Sequence, residues 1–484
     1  MNTGIRRVGL AILVLFIGLA AQLTYLQVID SKKLANDPNN TRKFLRDISR
    51  PRGPIVSADG VVLAKSVPVN DQFKYQRIYP VATAKLFAHV VGWQSIGFGS
   101  TGVEAEYSKA LAGRDCRPSL DNLCVSRRPI TGTVFLNLSV KAQQAAADGL
   151  AGRRGSVVVL NVRTGGVVAA YSNPTYDPTL LVSHKTDVAR LAREFLLAAP
   201  DNPMLPRAWR ELYPPGSTFK TVSAATALTD NVDVNKQFPE LTELPLPLTT
   251  ATLHNFGDER CGGSLEEGFI ESCNTTFGQL GLDLGNQLAV GVERFGVNDG
   301  GAPSDFDPDI VGSIGPREGT FDLEMPRFAQ AAIGQGPVSV TPMEMALVAE
   351  AVARGGTILT PQTANRVEDP DGRVVERFRS KEWKRAMSHV TAATLRDWMV
   401  EVVNQGTGTA AQIPGVQVAG KTGTAETTPD ERPHAWFIAF APAVDPQYAI
   451  SVLVEHGGSS EAETTGGRVA APVAAQVLRV LLGV

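Results

Sequence analysis

The sequence predicts an α+β protein, in which a membrane helix and a smaller mixed α/β module precede one larger domain. Three observations predict this organisation: an uncharged apolar run near the N-terminus, strand patterns just after residue 150, and three strand patterns near the C-terminus. Two early strands, a helical middle and three late strands favour one domain whose antiparallel sheet draws on both ends of the segment. The chain has 484 residues, too many for one ordinary core, so an additional module is expected.

The composition argues against several classes of function. Apolar residues make up 43% and charged residues 20% of the chain, which is typical of a globular protein. The formal net charge of −3 gives no sign of nucleic-acid binding. The sequence has no zinc-ligand spacing, no Walker loop and no internal repeat, so we expect neither a metal ion nor another cofactor.

The N-terminal segment predicts a membrane anchor. Residues 8–28 follow Arg6 and Arg7 and contain no charged side chain. As a helix they would span about 30 Å, the thickness of a bilayer core. A cleaved signal peptide is the alternative, but its apolar region usually has about 7–15 residues and ends at a small-residue site, which "GLAAQ" matches poorly. We therefore expect residues 1–7 to be a cytoplasmic tail and residues 8–28 an uncleaved anchor.

Charges on both sides of the anchor bear on its orientation. Arg6 and Arg7 favour a cytoplasmic N-terminus. Basic residues between positions 32 and 43 weaken that bias, but long domains are translocated despite such charges. The sequence therefore predicts a single-pass protein of the cell membrane with its body on the extracytoplasmic side.

Residues 29–150 form the predicted N-terminal module. A polar, Asn-rich linker comes first, and "PIVSADGVVLAKS" then shows short apolar alternations on both sides of Asp59 and Gly60. That pattern predicts a β-hairpin. The segment "SVKAQQAAADGLAG" predicts a helix that closes the module.

Residues 151–484 form the predicted larger domain. In "GSVVVLNVRTGGVVAAYSNP", two β-branched strands flank a turn between Arg163 and Gly166, which again predicts a hairpin. The segments "VQVAGKTGTAE", "HAWFIAFAP" and "YAISVLVEH" predict three further strands. A helix is expected to follow from about Gly467.

One helix of the larger domain carries explicit end signals. In "TPMEMALVAEAVARGG", Thr341 has the position of an N-cap, Pro342 the first helical position and Glu344 the third. This spacing predicts a capping box, in which the Glu344 side chain returns to the backbone of Thr341. Gly355 and Gly356 are expected to end the helix.

The stretch "LYPPGSTFKTV" has the features of an activated serine nucleophile. Pro214 and Pro215 favour extended backbone before a helix, and Gly216 adds no side chain to shield Ser217. A helix N-terminus favours developing negative charge. Lys220 lies on the same helix face, so its amine can reach the hydroxyl and act as a base if burial and a second cation keep it neutral. The S-x-x-K spacing alone is a weak signal, because it occurs by chance and serine often caps helices.

Two further tripeptides strengthen this pattern. "ESCNTTF" contains Ser272 and Asn274 on either side of a cysteine, and "AGKTGTAE" contains Lys-Thr-Gly from Lys421 on a predicted strand. The motifs S-x-x-K, S-D-N and K-T-G are the signature of penicillin-binding proteins and class A β-lactamases. Here a cysteine replaces the aspartate of the second motif, and all three motifs occur in the family's chain order.

The chain resembles the class B penicillin-binding proteins over nearly its whole length. "YPPGSTFK", "ESCNTTF" and "GKTGTAE" carry the resemblance in the larger domain, with "PTYDP" and "HAWFIAFAP". "RGPIV" from Arg52 and "TGVEAEY" from Thr101 resemble motifs of the family's non-penicillin-binding module, although "SADG" replaces the usual Asp-Arg. The resemblance implies a serine β-lactamase-like transpeptidase fold, a five-stranded antiparallel sheet with helices on both faces. It also implies a dimerisation or pedestal role for residues 29–150.

The resemblance implies four catalytic residues. Ser217 would attack the D-Ala–D-Ala carbonyl of a peptidoglycan stem peptide, and Lys220 would act as general base. Ser272 would relay a proton to the leaving D-Ala. Lys421 would supply positive charge near Lys220 and help to hold the substrate. An amine of a neighbouring stem peptide would then accept the acyl group, and β-lactams would acylate the same serine.

Substrate-binding residues follow from the same resemblance. Asn274 would orient the substrate amide, whereas Thr422 and Thr424 would bind the substrate carboxylate. Gly423 has no side chain, so the substrate can lie against the strand. The oxyanion hole would consist of the backbone N–H groups of Ser217 and Thr424.

Two other functions remain open. A D,D-carboxypeptidase or β-lactamase would pass the acyl group to water, but the anchor and the extra module argue against a β-lactamase. A non-catalytic scaffold of the cell-wall synthesis machinery is the alternative from another class, and the complete motif set argues against it. The expected partners are stem peptides, β-lactam antibiotics, the membrane, a glycan polymerase and division proteins, with a role in cell division.

The cysteines fall into two local pairs, Cys116 with Cys124 and Cys261 with Cys273. In an exported protein each pair could close a short loop through a disulfide. Small buried hydrophobic residues are the alternative interpretation. The second pair is the better candidate for a disulfide, since Cys273 lies inside the second motif and a bond would fix the loop carrying Ser272.

Other conspicuous residues have ordinary interpretations. His254 and His434 are expected to be structural or surface residues rather than catalytic ones. The glycine-rich segment "GTGTAAQIPG", from Gly406, follows no strand of a βαβ unit and is expected to be a turn into the strand of Lys421.

Overall fold

A computed structural model describes residues 2–30, 49–113, 131–230, 232–233, 236–427, 431–457 and 465–484. Cys116 and Cys124 lie outside these ranges. Helix α1 spans Asn2–Thr24 and continues as a π-helical turn over Tyr25–Ile29. The span Gly4–Val28 is long and apolar enough to cross a membrane, and none of it is buried inside the protein.

The remaining elements lie between Ile55 and Leu482. The helices that follow α1 are α2 (Val81–Val91), α3 (Gly102–Glu106), α4 (Ser108–Leu111), α5 (Val140–Leu150), α6 (Thr186–Ala198), α7 (Arg207–Arg210), α8 (Lys220–Thr229), α9 (Leu265–Ile270), α10 (Asn274–Leu284), α11 (Asn286–Arg294), α12 (Phe321–Ala332), α13 (Pro342–Ala353), α14 (His389–Asn404) and α15 (Gly466–Leu482). The strands are β1 (Ile55–Val56), β2 (Val62–Pro68), β3 (Tyr75–Ile78), β4 (Gln94–Ser95), β5 (Gly99–Ser100), β6 (Thr133–Leu136), β7 (Gly155–Asn161), β8 (Val167–Asn173), β9 (Phe238–Leu241), β10 (Glu243–Pro245), β11 (Thr252–His254), β12 (Cys261–Gly263), β13 (Thr357–Leu359), β14 (Ala364–Glu368), β15 (Val374–Arg377), β16 (Glu382–Arg385), β17 (Ala419–Ala425), β18 (His434–Ala441) and β19 (Tyr448–Val454).

The main sheet has five antiparallel strands in the order β17–β18–β19–β7–β8. β7 and β8 form the hairpin predicted around Arg163 and Gly166, and β17, β18 and β19 are the three late strands. β19 pairs with β7, so both ends of the segment contribute to one sheet. The predicted α+β architecture is therefore confirmed.

Helices cover both faces of the main sheet, which explains the nearly continuous apolar run of β7. Val157 and Val159 point into a core formed with α5 and α15. Val158 and Leu160 point into the opposite core, which includes α13 and α8. Successive side chains of a strand alternate between faces, so a strand covered on both sides must be apolar at every position.

The N-terminal module contains a six-stranded sheet in the order β15–β14–β6–β1–β2–β3. β1 and β2 pair antiparallel around Asp59 and Gly60, which confirms the predicted hairpin. β6 runs parallel to β1 and antiparallel to β14. This sheet therefore includes strands from residues 364–377, far along the chain.

The two family-like motifs of the N-terminal module meet in a buried ion cluster. Arg52, of "RGPIV", and Arg77 each place a guanidinium nitrogen 2.5 Å from the fully buried carboxylate of Glu104, of "TGVEAEY". Burial alone would raise the pKa of Glu104, but the charges of Arg77 and Arg52 lower it below its ordinary value. The carboxylate therefore stays ionised and holds β3 and α3 to the start of the module.

Contacts cross the predicted module boundary at residue 150. β14 and β15 complete the sheet of the N-terminal module. α5, which precedes residue 150, packs against α15 and one face of the main sheet. The domain ranges 29–150 and 151–484 stay a prediction. Each of these ranges contributes a helix or strands to the packing of the other.

The end signals of α13 are only partly confirmed. Thr341 Oγ1 accepts a 3.0 Å hydrogen bond from the Glu344 N–H, so Thr341 is the N-cap. The capping box predicted with Glu344 is wrong, because its carboxyl group does not return to Thr341. α13 is buried on almost every side, so this carboxyl group lies in the core, where burial raises its pKa to about 8. A complete capping box forms instead between Ser264 and Glu267 at the start of α9.

Candidate active site

Ser217 lies in the first turn of a helix that faces the edge strand of the main sheet. Gly216–Phe219 form a 3₁₀ turn, and α8 continues it from Lys220. The helix predicted here therefore begins with a tighter turn than expected. Gly216 has a φ of 54°, and a Cβ atom there would collide with the carbonyl oxygen of Thr424 on β17. A glycine is required at this position for both reasons.

Hydrogen bonds hold the nucleophile loop, residues 213–217, in place. The Gly216 N–H donates to the carbonyl of Gly334 at 2.9 Å. The Thr218 hydroxyl donates to the carbonyl of Pro215 at 2.8 Å. Ser217 is partly exposed at the end of this loop, whereas Lys220 is fully buried.

The Lys220 amine contacts the second motif. Lys220 Nζ donates to the carbonyl of Ser272 at 2.6 Å and to Asn274 Oδ1 at 2.8 Å. The Ser272 hydroxyl lies 3.4 Å from the same nitrogen, and the ring of Phe277 lies 5.5 Å away. The first and second motifs are therefore joined through one amine.

The third motif reaches the same hydroxyl group. Lys421 Nζ, which is also fully buried, donates to Ser272 Oγ at 2.9 Å. Its other neighbours are the carbonyl of Thr422 at 3.4 Å and the ring of Phe269 at 5.5 Å. Ser272 thus lies between two lysines that come from different elements, α8 and β17.

Burial favours the neutral form of both amines. Burial lowers the pKa of Lys220 well below its ordinary value, and the neighbouring Lys421 lowers it further. Burial lowers the pKa of Lys421 to about 7. A neutral amine has two N–H groups and one lone pair. The Ser272 carbonyl and Asn274 Oδ1 accept both N–H groups of Lys220, so its lone pair stays free to accept a proton.

Sequence reasoning expected the Lys220 amine to contact the Ser217 hydroxyl. Within the described residues, no hydrogen bond joins them; the amine turns towards Ser272 and Asn274 instead. The Ser272 carbonyl and Asn274 Oδ1 therefore take the place that the Ser217 hydroxyl was expected to occupy beside the amine. In structures without substrate, catalytic hydrogen bonds are often long and tighten only when substrate binds.

Ser272 has a strained backbone. Its φ is 66°, which is uncommon for a residue other than glycine. It lies between α9 and α10, and the Asn274 amide donates to the carbonyl of His254 at 2.9 Å. Such strain persists only where the surroundings fix it, and it is concentrated at functional sites.

A disulfide fixes the loop that carries this strained residue. Cys273, directly after Ser272, is bonded to Cys261 on β12, as the sequence suggested for this pair. Asn255 adds a second attachment, because its Oδ1 accepts a 2.9 Å hydrogen bond from the Thr275 N–H. The disulfide therefore attaches the second motif to β12, and the hydrogen bond attaches the residue after the motif to Asn255.

The third motif lies against the nucleophile loop. A Cβ atom on Gly423 would come within 2.8 Å of the carbonyl oxygen of Pro215, so only glycine allows this approach. Thr422 is buried, whereas Thr424 is partly exposed on the same strand. The backbone N–H groups of Ser217 and Thr424 therefore belong to adjoining segments.

Sequence reasoning missed one residue beside the third motif. The hydroxyl groups of Thr407 and Thr422 are 2.6 Å apart. Thr407 lies in the glycine-rich segment after α14, which does lead into β17 as expected. No signal in the sequence marked this threonine, because the contact joins a loop to a strand across the fold.

The two histidines occupy different surroundings. His254 is half exposed, and its backbone carbonyl, not its ring, serves the second motif. His434 is buried beside His456 and Tyr213, and burial lowers the pKa of its ring to about 4. Neither ring contacts Ser217, Lys220 or Ser272 through a hydrogen bond within the described residues.

Comparison with known proteins identifies the family. A model of the penicillin binding protein transpeptidase domain matches residues 155–479, and a model of the penicillin binding protein A dimerisation domain matches residues 52–131. The chain belongs to the class B penicillin-binding proteins. The resemblance carried by the motifs is therefore confirmed, as is the five-stranded transpeptidase fold that it implied.

Relatives of this penicillin-binding protein are similar over its full length. The peptidoglycan D,D-transpeptidase PbpA of Mycolicibacterium smegmatis is 40% identical, over 98% of this chain and 97% of the relative. The protein of the same name from Mycobacterium tuberculosis is 36% identical, over 100% and 99%. A ceftriaxone acyl-enzyme complex of M. tuberculosis penicillin-binding protein A superposes with a TM-score of 0.83 at 35% identity, covering 90% of this chain and 100% of the solved chain.

Proposed function

We propose that this penicillin-binding protein is a serine D,D-transpeptidase that cross-links peptidoglycan stem peptides through an acyl-enzyme. The buried Lys220 amine carries the proposal. It lies in the turn after Ser217, its pKa is lowered, and both N–H groups of its neutral form have acceptors. The relatives named D,D-transpeptidases and the acyl-enzyme complex of a similar structure support the same chemistry.

Acylation begins at the Ser217 hydroxyl. Lys220 accepts the hydroxyl proton while Ser217 Oγ forms a bond with the carbonyl carbon of the penultimate D-Ala. The N–H groups of Ser217 and Thr424 stabilise the oxyanion that develops, and loss of one such donor typically costs about 10²–10³ in rate. A β-lactam carbonyl takes the place of the peptide carbonyl in the inhibited enzyme.

The leaving group departs through Ser272. The C–N bond to the terminal D-Ala breaks, and the Ser272 hydroxyl passes a proton to the departing amine. Lys220, which holds the proton from Ser217, lies near this hydroxyl and can replace the proton. Lys421 stabilises the hydroxyl oxygen by donating to it.

Transfer completes the reaction. An amine of a neighbouring stem peptide attacks the acyl-enzyme carbonyl, and Lys220 accepts the amine proton. Lys220 returns this proton to Ser217 Oγ as the bond between that oxygen and the acyl carbon breaks. Asn274 orients the substrate amide, Thr422 and Thr424 bind the terminal carboxylate, and Gly423 leaves room beside β17. The product is a cross-link between two stem peptides.

The proposal divides the chain into the four segments that the sequence predicts. Residues 1–7 are a cytoplasmic tail, residues 8–28 span the membrane, residues 29–150 form the dimerisation or pedestal module, and residues 151–484 form the transpeptidase domain. The catalytic domain lies on the extracytoplasmic side, where peptidoglycan is built. A glycan polymerase and division proteins are the proposed protein partners, in a role in cell division.

Labelling with a fluorescent penicillin tests the nucleophile. The wild type is expected to become labelled, and Ser217→Ala is expected to lose the label completely. Ser223→Ala, which removes another hydroxyl farther along α8 whose acceptor is the Ala332 carbonyl, is the matched control and should retain labelling. Labelling of Ser217→Ala would place the nucleophile elsewhere, and an unlabelled, folded wild type would favour a non-catalytic scaffold.

A cross-linking assay tests whether an amine or water accepts the acyl group. Lipid II and a glycan polymerase are incubated with the wild type or with Ser217→Ala, and the muropeptide products are separated. Cross-linked products that require Ser217 support transfer to an amine. Release of D-Ala without cross-links would instead indicate a D,D-carboxypeptidase.

A further inference from the structure

A cluster of four polar side chains, of which Arg207, Tyr213 and Glu455 are buried and Arg154 is exposed, includes the first residue of the nucleophile loop. The Glu455 carboxylate, just after β19, accepts a 2.7 Å hydrogen bond from the Tyr213 hydroxyl and another 2.7 Å bond from Arg207 Nε. Its second oxygen lies 2.9 Å from Arg154 Nη2. These four residues, the Glu455 cluster, bring together the beginning of β7, α7, the nucleophile loop and the end of β19.

The charges in this cluster favour a fixed geometry. Burial alone would raise the pKa of Glu455, but the Tyr213 hydrogen bond and the charges of Arg207 and Arg154 lower it below its ordinary value. Burial, followed by the Glu455 charge, raises the pKa of Tyr213, so its hydroxyl remains a donor at neutral pH. Hydrogen bonds to an ionised acceptor are stronger and shorter than neutral ones.

The remainder of the nucleophile loop is attached on other sides. Tyr213 exchanges two 2.9 Å backbone hydrogen bonds with Val340. The ring nitrogen of Trp436, on β18, donates to the carbonyl of Pro214 at 2.9 Å, and the same ring packs edge-on against Tyr213. The Gly216 N–H is held by Gly334. Hydrogen bonds therefore hold the backbone of the loop at several points between Tyr213 and Ser217.

We propose that Tyr213 is a positioning residue for acyl transfer. Its hydroxyl, held by Glu455, sets the nucleophile loop against β17 so that Ser217 Oγ can meet the lone pair of Lys220. This inference rests on the proposed function of Ser217 and Lys220. Tyr213 lies outside the three motifs. It affects the acylation rate through the loop backbone and touches neither the substrate nor the reacting atoms.

The geometry of the site explains why the position of the loop affects the rate of acylation. Ser217 makes no hydrogen bond to Lys220 within the described residues, so no bond between these two side chains fixes the nucleophile. Its position depends on the backbone of the preceding loop. A displacement of about 1 Å from a productive geometry can reduce a rate about 100-fold.

Tyr213→Phe tests the proposal, because it removes one hydroxyl and keeps the ring that packs on Trp436. The matched control is Tyr107→Phe, in which another buried tyrosine loses a 2.6 Å hydrogen bond to a carboxylate, that of Asp305. Acylation of the full-length proteins by a fluorescent penicillin is followed at several concentrations. This separates the acylation rate constant from the dissociation constant of the first complex.

We expect Tyr213→Phe to lower the acylation rate constant about tenfold or more, with an unchanged dissociation constant. The pH profile of acylation should keep its midpoint, because the Lys220 amine is not altered. Tyr107→Phe should acylate at the wild-type rate, even if its thermal stability falls as much as that of Tyr213→Phe. Glu455→Gln, which replaces the ionised acceptor of the Tyr213 hydroxyl by a neutral one, should lower the acylation rate constant by a smaller factor than Tyr213→Phe.

The outcomes separate this inference from the proposed function. A folded Tyr213→Phe that acylates like the wild type would overturn the positioning role and leave the transpeptidase intact. Equal loss of rate in Tyr213→Phe and Tyr107→Phe would also overturn it, since stability alone would then explain both. If Tyr213→Phe fails to fold, Glu455→Gln decides, and a folded Glu455→Gln that acylates at the wild-type rate overturns the positioning role. A wild type that is not acylated at all would overturn the proposed function.

Discussion

Lys421 Nζ donates a 2.9 Å hydrogen bond to the hydroxyl of Ser272. The same hydroxyl lies 3.4 Å from Lys220 Nζ. The hydroxyl of one serine therefore lies between two buried amines. The proposed proton relay through Ser272 depends on this arrangement.

Ser272→Ala should slow acylation by about 10²–10⁴, the usual contribution of a positioned acid–base group. The substitution removes the hydroxyl that passes a proton to the leaving group and leaves Lys421 Nζ without that acceptor. The rate of acylation by a fluorescent penicillin is the measurement. Ser264→Ala is a suitable control, because that serine caps α9, the helix that precedes the Ser272 loop. It should cost about 1 kcal/mol of stability and leave acylation unchanged; a Ser272→Ala that acylates normally would contradict the relay.

The low pKa of Lys421 predicts a specific pH dependence of stability. The pKa is about 7 in the folded state and about 10.4 in an unfolded chain. Between these values the unfolded state binds more protons, so the free energy of unfolding rises with pH. Lys421→Met removes this contribution. Urea unfolding should show the stability of the wild type rising relative to the variant from about pH 7 to about pH 10. Parallel curves for the two proteins would contradict the lowered pKa.

The bond between Cys261 and Cys273 is expected to support activity as well as stability. Reduction frees the loop that holds the strained backbone of Ser272, so acylation should slow about tenfold or more. The bond closes a short loop, with a sequence separation of 12, and such loops contribute about 3 kcal/mol. Acylation before and after mild reduction is compared, with thiols counted by mass spectrometry. Unchanged acylation in a protein with free Cys261 and Cys273 thiols would refute this role.

Glu104→Gln should destabilise the N-terminal module strongly. The substitution leaves the guanidinium groups of Arg52 and Arg77 buried without their common carboxylate, and breaking a buried pair costs about 3–5 kcal/mol. Chemical denaturation measures the loss. The control is Glu382→Gln, because Glu382 is half exposed and its nearest Arg385 nitrogen is 3.7 Å away; it should cost less than about 1 kcal/mol. Similar losses in both variants would show that the buried cluster contributes little.

Much of this fold was predictable because the signals are local. Hairpins at Asp59 and Arg163 follow from turn residues between β-branched runs, and the strand of Lys421 follows from its local pattern. The order of the three motifs indicated the family, and the family implied a five-stranded antiparallel sheet. These inferences needed no knowledge of which distant segments touch.

The remaining features depend on long-range packing. The sequence did not show that β14 and β15 complete the sheet of the N-terminal module, or that Arg77 joins Arg52 and Glu104. It suggested that Glu344 would close a capping box, but burial of α13 turns that carboxyl group into the core. The same limitation applies at the site, where the Lys220 amine turns towards Ser272 and Asn274, and where Thr407 contacts Thr422.

The pH dependence of acylation tests most directly whether Lys220 is the neutral base. Its lowered pKa predicts that the second-order rate constant for a penicillin rises with pH and levels off well below about pH 10.4, the ordinary lysine value. The expected result is a plateau that is reached well below that pH, in a reaction that Lys220→Met abolishes. A rate constant that continues to rise about tenfold per pH unit up to about pH 10 would mean that the amine has an ordinary pKa, and it would contradict the account.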